Sequence, residues 1–343
     1  MEYFAGANTR NGFVSVFDEC FKNIERLYIL KGSSGCGKST FMKKVAERAI
    51  KHGFTVDYIY CSADYQSLDG IIIRELNIAI ADGTSPHIMD VKYPCVRETI
   101  INLGQFWNES KLLPKREEII ELTNSKSEYY KNAYKSLSAF GSVEDIKKQL
   151  LSRAVIRDKM DSIVFRIVER VSGSKGETKK LFATAFTSEG LKTAKVFDDV
   201  KTLYRVNGNL SDLFMVSFVR AMNEIGTSCI ISYSPTDATL PDAVYFEETK
   251  TLVTSLALPP CKSAVEEKTV STSRFTNNAV LASVRAKLRA LDKLSNELLF
   301  EAKTQLSNAK SIHNEIEKIY IPAMDFKSLD DYTFALINRI FSE

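Results

Sequence analysis

The sequence predicts an α/β protein of two tandem parallel-sheet domains, each followed by a helical lobe. Three observations carry that expectation. Apolar, β-branched runs alternate with helical runs from Tyr3 to Pro86; a second copy of the pattern restarts at Leu181; and a long stretch of helical periodicity follows each copy. Alternating strands and helices imply a sheet covered on both faces, its parallel strands joined by right-handed helical crossovers. A chain of 343 residues is long enough for two cores of ordinary domain size. The expected divisions are 1–108, a first sheet domain; 109–171, a helical lobe; 172–180, a linker; 181–278, a second sheet domain; and 279–343, a C-terminal helical region.

The opening, Tyr3 to Phe13, carries two glycines and reads as a short strand and turn. Phe17, Phe21 and Ile24 recur at helical spacing and lead into the strand Leu27–Leu30. Gly32-Ser33-Ser34-Gly35-Cys36-Gly37-Lys38-Ser39-Thr40 follows, and then a helix that ends near Gly53. Strand, glycine loop with Lys-Ser, then helix is the phosphate-binding loop of a nucleoside triphosphatase. Its glycines let backbone N–H groups approach phosphate, and the helix start adds a positive dipole end. Lys38 is expected to reach the β- and γ-phosphates and Ser39 to give its hydroxyl to Mg²⁺. The fold class is therefore two tandem P-loop NTPase-like domains.

Thr55 to Cys61 reads as the next strand. Leu76 to Gly83 reads as a buried strand ending in Asp82, the form of a Walker B element that orients the magnesium water shell. Asp69 is the rival magnesium-site acid and ranks just below Asp82; Asp-Gly is also an ordinary turn sequence. His87 reads as a surface loop histidine. Ile119, Tyr130, Ala133, Leu137 and Phe140 then follow a helical period that Gly141 is expected to break, with helix resuming from Ile146 to Val171. The polar run Ser172 to Lys180 reads as a flexible linker.

The chain then starts over. Phe4/Phe182, Ala5/Ala183, Ala7/Ala185, Thr9/Thr187 and Gly12/Gly190 are identical pairs at one offset, and Phe41/Phe214, Met42/Met215, Gly53/Gly226, Tyr60/Tyr233, Asp69/Asp242 and Pro86/Pro259 at a shorter one. A run of matches at constant offset indicates an internal duplication. The offset shortens within the loop itself. Gly208-Asn209-Leu210-Ser211-Asp212-Leu213 replaces the nine-residue first loop, with Ser211 in the place of Lys38 and Asp212 in the place of Ser39. A carboxylate there repels phosphate, so one nucleotide per chain is expected. The last region carries Leu281, Val284, Leu288, Leu291, Leu298, Ala302, Ala309, Ile316 and Ile319 at heptad-like spacing, a helix ended by Pro322 and followed by a final helix.

The bulk properties bound the partners. A net charge of +3 is too balanced to argue for nucleic acid. Cys20, Cys36, Cys61, Cys95, Cys229 and Cys261 have no CxxC spacing, which suits neither zinc nor a disulfide framework and fits a reducing cytoplasm. No apolar run reaches the length of a membrane span.

The duplicated plan resembles a family of uncharacterised bacterial proteins with two P-loop ATPase-like domains in tandem. The likeness rests on Tyr3–Thr9, Gly32–Thr40, Leu68–Ile72, Asp82–His87, Ile100–Gly104 and Tyr320–Phe326, and covers nearly the whole chain. It implies ATP binding and hydrolysis, with a departure here: relatives of this kind keep both phosphate loops intact. The leading expectation is a magnesium-dependent ATPase acting as a molecular switch, its second half a pseudo-NTPase and its helical lobes the route to a protein partner. ATP is favoured over GTP because no Asn-Lys-x-Asp sequence is present. Arg205 or Arg220 is the expected source of a cation completing the site from the second half. A small-molecule or nucleotide kinase, with Asp69 and His87 in an acceptor pocket, is the alternative, and a non-hydrolysing ATP-sensing scaffold is the third reading.

Overall fold

The computed structural model describes residues 1–341. The first half runs β1 (Glu2–Phe4), β2 (Gly6–Thr9), β3 (Gly12–Ser15), α1 (Phe17–Phe21), β4 (Arg26–Lys31), α2 (Lys38–Lys51), β5 (Val56–Tyr60), β6 (Leu68–Ile73), β7 (Ile78–Asp82) and β8 (Glu98–Asn102). Its six-stranded sheet has the order β1-β5-β6-β7-β4-β8, with the β2–β3 hairpin beside it. β4 lies parallel to β7 and β8, and β1 parallel to β5, but β6 is antiparallel to both its neighbours. The sheet is therefore mixed, and the expectation of parallel sheets is corrected. The cause is connection length: β6 and β7 are joined by Arg74, Glu75, Leu76 and Asn77 alone, with Asn77 at φ 51°. That is a hairpin turn, and far shorter than the dozen or more residues a parallel crossover needs.

The chain continues through α3 (Glu109–Leu112), α4 (Arg116–Ser152) and α5 (Arg157–Val171) into β9 (Thr178–Leu181), β10 (Thr184–Thr187), β11 (Gly190–Thr193), β12 (Val200–Asn207), α6 (Ser211–Ile225), β13 (Cys229–Tyr233), β14 (Pro241–Phe246), β15 (Thr251–Thr254) and β16 (Ala264–Ser271), and ends with α7 (Asn278–Tyr320) and α8 (Phe326–Phe341). Read from its β9 edge, the second six-stranded sheet has the order β9-β13-β14-β15-β12-β16, which repeats the first sheet strand for strand. Its parallel and antiparallel pairings repeat too. The duplication seen in sequence is a duplication of topology.

The two sheets meet at their β1 and β9 edges. Phe4 and Phe182 exchange both backbone hydrogen bonds, at 2.9 and 3.0 Å, about an approximate two-fold axis. Phe4, Ala5, Phe17, Leu181, Phe182 and Ala183 share one continuous core across this junction. Burying that surface joins the halves by the same hydrophobic term that holds each one together.

The helices tie them a second time. α4 and α7 lie side by side and antiparallel, since the backbone bridge between Trp107 and Met324 closes one end and that between Val155 and Thr276 the other. Leu288, Ser295, Ala302, Ala309 and Ile316 are the buried positions of α7 at strict heptad spacing, which is the seam of a coiled coil. α4 runs through Gly141 without the expected break, since one interior glycine costs a long packed helix only about 1 kcal/mol; its missing Cβ leaves room for Arg10, whose Nε would otherwise lie 2.3 Å away. Beyond the pair, the shorter helices are exchanged. Met160, Ile163, Val164 and Ile167 of α5 pack on α6 in the second half, while Leu329, Leu336, Ile337 and Ile340 of α8 return to α2 in the first. Lys44 of α2 meets Asp330 of α8 at 2.5 Å. Neither lobe belongs only to the sheet that precedes it. Among the described residues, no helix is long and apolar enough to cross a membrane.

Candidate phosphate-binding site

The glycine loop leaves the C-terminal end of β4 and enters α2. Gly35 and Gly37 take φ of 75° and 84°, a left-handed backbone that other L-residues adopt at a cost. Gly37 occupies the N-cap of α2 and no side chain caps that end, which leaves first-turn N–H groups as donors. Gly32 is fixed by crowding instead: a Cβ there would stand 2.5 Å from the buried Cys36 Sγ. Burial pushes that thiol up, against the pull of the Lys38 ammonium.

Lys38 curls back over the loop. Its Nζ donates to the carbonyls of Gly32 at 2.9 Å and Ser33 at 3.0 Å, and stands 3.6 Å from Asp82 Oδ2. Asp82 is the last residue of β7, which lies parallel to β4 with Asp82 opposite Leu30. The parallel register thus brings the acid to the mouth of the loop. Its carboxylate accepts from the Thr84 N–H at 2.9 Å and the Thr84 hydroxyl at 2.5 Å. Burial pushes the Asp82 carboxyl up, offset in part by Lys38 and then Thr84. Ser39 Oγ accepts from the Leu68 N–H at 3.1 Å, and Thr40 is exposed. Asp69 is placed differently. It is buried within β6, with Oδ2 3.0 Å from His87 Nε2; His87, expected at the surface, is buried because its ring stacks on Phe17 at 4.0 Å and meets this acid. Of the two rival acids, Asp82 is the one in contact with Lys38.

Among the described residues, no group of three His, Cys, Asp or Glu side chains is arranged to hold a metal by itself. Magnesium does not require one. It keeps several waters and phosphate oxygens and takes one or two protein oxygens, so a serine hydroxyl at Ser39 and a carboxylate at Asp82 suit it as hard oxygen donors.

The loop is roofed by helices from the far end of the chain. Ser34 Oγ lies 3.3 Å from His313 Nδ1 on α7, and His313 Nε2 lies 3.4 Å from Glu317. A Cβ on Gly35 would stand 3.1 Å from Ile321 and 3.6 Å from the Glu317 backbone, and one on Gly37 would stand 3.1 Å from Leu329 of α8. Lys310 pairs with Asp64 at 2.6 Å. Lys126 is half-buried on α4; burial and then the Lys38 charge push its ammonium down, against Glu317. Sequence reasoning missed all of these. The heptad pattern announces a helix, but nothing local says which loop its polar face will meet.

The second loop differs throughout. Gly208 takes φ 122° and packs on Thr272, and α6 starts at Ser211 with Asp212 in its first turn. Burial pushes the Asp212 carboxyl up; Lys148 and Lys147 of α4 oppose the shift, and Glu144 and Asp237 add to it. Ser255 follows β15 where Asp82 ends β7, so the acid is lost along with the lysine and the serine. The arginines expected from this half are engaged elsewhere. Arg205 bonds Glu267 at 2.6 Å and the Ala257 carbonyl at 3.0 Å, and Arg220 pairs with Glu224 on an exposed face of α6. Among the described residues, neither arginine bonds a residue of the first loop.

Comparison of the chain with family models, with curated proteins and with solved structures gave no match.

Proposed function

We propose that this protein is a magnesium-dependent, ATP-binding P-loop protein that hydrolyses ATP at one site and signals its nucleotide state through the α4–α7 pair. The observation that carries the reading is the Lys38–Asp82 contact of 3.6 Å at the end of two parallel strands, beside a glycine loop with two left-handed residues. In this reading the loop amides and Lys38 hold phosphate charge, and Lys38 releases its two loop carbonyls to do so. Ser39 and Asp82 hold the magnesium, which neutralises charge developing on the phosphoryl oxygens. His313, Glu317, Ile321 and Leu329 touch the loop from α7, the turn after it and α8, so occupancy of the loop is felt at once by the helical pair. The second half, without lysine, serine or acid at the matching positions, acts as a fixed partner.

Titration of the full chain with a fluorescent ATP analogue and magnesium is expected to give one site per chain, and phosphate release is expected without an added acceptor. Lys38→Ala is expected to abolish both, whereas Lys22→Ala, at an exposed pair with Glu177, leaves them unchanged. Full activity in the Lys38 variant, or two sites per chain, would overturn the reading. Turnover only on addition of a phosphoryl acceptor would replace it with a kinase.

A further inference from the structure

The chain has three histidines, and one of them stands on the first loop. His52 stacks on Phe341 and His87 is buried against Asp69, but His313 Nδ1 lies 3.3 Å from Ser34 Oγ. Its other ring nitrogen, Nε2, lies 3.4 Å from Glu317, one turn further along α7. That contact holds the Glu317 carboxyl below its usual range. An ionised carboxylate only accepts, so Nε2 carries its hydrogen toward Glu317. Nδ1 is left facing the loop, and donates there when the ring is charged. The fit is close: a Cβ on Gly35 would stand 3.5 Å from Tyr320 Cβ and 3.6 Å from the Glu317 Cα. The His313 side chain is 40% exposed, so a ligand in the loop can meet it.

The contact falls beside the lysine. Lys38 Nζ rests on the carbonyls of Gly32 and Ser33, the two residues before Ser34, with Asp82 3.6 Å away. The lysine of a phosphate loop serves the β- and γ-phosphates. His313, one residue along, is therefore on the terminal-phosphate side.

Packing alone does not require a histidine there. The helical regions superimpose in sequence at a single offset of 169, which aligns Asn108 with Asn277 and the bridge Trp107–Met324 with Thr276–Val155. At that offset His313 corresponds to Glu144, which pairs with Lys147 at 2.8 Å and accepts the Ser295 hydroxyl at 2.7 Å. The half that keeps Lys38 has an imidazole at this helix position; the half that has lost the lysine has an acid.

We propose that His313 is a catalytic residue of the first site: with a triphosphate and magnesium in the loop, its Nδ1–H donates to a terminal phosphoryl oxygen in place of Ser34, and Glu317 is the positioning residue that keeps the charged ring turned that way. This rests on the nucleotide reading above. The ring transfers no proton. It supplies positive charge where negative charge accumulates as water displaces ADP, the part an arginine finger plays. The cation comes from α7 of the same chain, and not from Arg205 or Arg220.

The test uses the full chain with magnesium. H313A is expected to bind a fluorescent ATP analogue within about threefold of wild type, and to release phosphate about 10- to 100-fold more slowly at saturating ATP, approaching the loss of one transition-state donor. Added imidazole is expected to recover most of that loss, and to leave the wild type and Glu315→Gln, exposed on the same helix, unchanged. E317Q is expected to slow release by a smaller factor with binding kept; a wild-type rate there removes its positioning role. A wild-type rate in H313A, a loss of binding equal to the loss of rate, or no response to imidazole overturns the proposal. Carbethoxylation of His313 in the wild type, mapped by mass spectrometry, needs no variant to fold. Protection by a non-hydrolysable ATP analogue with magnesium, but not by saturating ADP, is expected, and equal modification with the two overturns the proposal. Failure of the wild type to bind the analogue at all removes the nucleotide reading itself, and is thereby distinct.

Discussion

The two loops occupy equivalent places in two sheets of one strand order, yet they hold opposite charge. At Gly32–Thr40 the chain presents Lys38, with Asp82 behind it and His313 of α7 against Ser34; at Gly208–Leu213 it presents Asp212, with Ser255 at the place of the acid. The scaffold is shared down to the bridged pair that joins the halves, so fold alone does not distinguish the two loops; three side chains and three residues of loop length do. In the nucleotide reading proposed above, the contrast makes a phosphate site a matter of the charge held on a generic turn.

The largest effect expected from breaking this contrast lies at the acid. Asp82→Asn leaves the loop and Lys38 in place, so nucleotide is expected to bind within a few-fold of wild type while magnesium-dependent phosphate release falls about 100-fold or more, the scale of losing one transition-state charge contact. Ser255→Asp, its counterpart, is expected to create neither a second site nor new turnover. Gain of a second site there would show that the halves differ by less than their loops.

A second contrast lies one strand away, at Asp69 and Asp242. Asp69 has His87 as a partner, but the residue matching His87 is Pro260, and Asp242 Oδ1 is buried with no partner. Burial pushes the Asp242 carboxyl up to about 6, against Ser232 and Thr184, which pull it down. The folded protein therefore retains a proton that the unfolded chain loses at about pH 4. Stability is expected to decrease as pH rises through that window, from about 4 to about 6, and to stay at the lower level above it. Asp242→Asn carries no charge to bury, so it is expected to be more stable than wild type at pH 8, by about 1–3 kcal/mol, with the advantage disappearing near pH 4. Thermal unfolding at the two pH values measures it; an equal difference at both would remove the ionisation account.

The smallest effect concerns how each roof obtains its cation. α7 has its own, Lys310, paired with Asp64; the matching residue of α4 is Gly141, and Arg10 fills the space to reach Asp145 at 2.5 Å and Asp237 at 3.5 Å. Gly141→Ala gains helix propensity but displaces Arg10, and a net loss of about 1 kcal/mol is expected in denaturant unfolding. A gain in stability would show that Arg10 contributes nothing to the second roof.

Much of this was legible before any coordinates. The loop residues Gly32–Thr40, the restart at Leu181 and the shortened second loop are local signals, each written in a few adjacent residues. The antiparallel placement of β6 was legible too, but the turn through Asn77 was easily read as part of a strand run, because its four residues lack glycine and proline. The exchange of α5 and α8 was not legible. Met160, Val164, Ile167, Val168 and Val171 bury the same face positions as Leu329, Thr333, Leu336, Ile337 and Ile340, so either stripe suits either sheet. An apolar stripe states that a helix is covered and not what covers it. The roof followed from that exchange and was hidden with it.

The crossed helices have one more consequence. A polypeptide ending at Val171 would hold one sheet, one loop and a pair of arms, α4 and α5, whose apolar faces fit the sheet of another copy. Two such polypeptides would close as a symmetric dimer by swapping arms, each loop roofed by its twin. In that dimer every substitution strikes both sites. Fusion into one chain lifts the restriction, and a change can then fall on a single loop. The lysine at residue 38 and the aspartate at residue 212 are a difference of the kind such freedom allows.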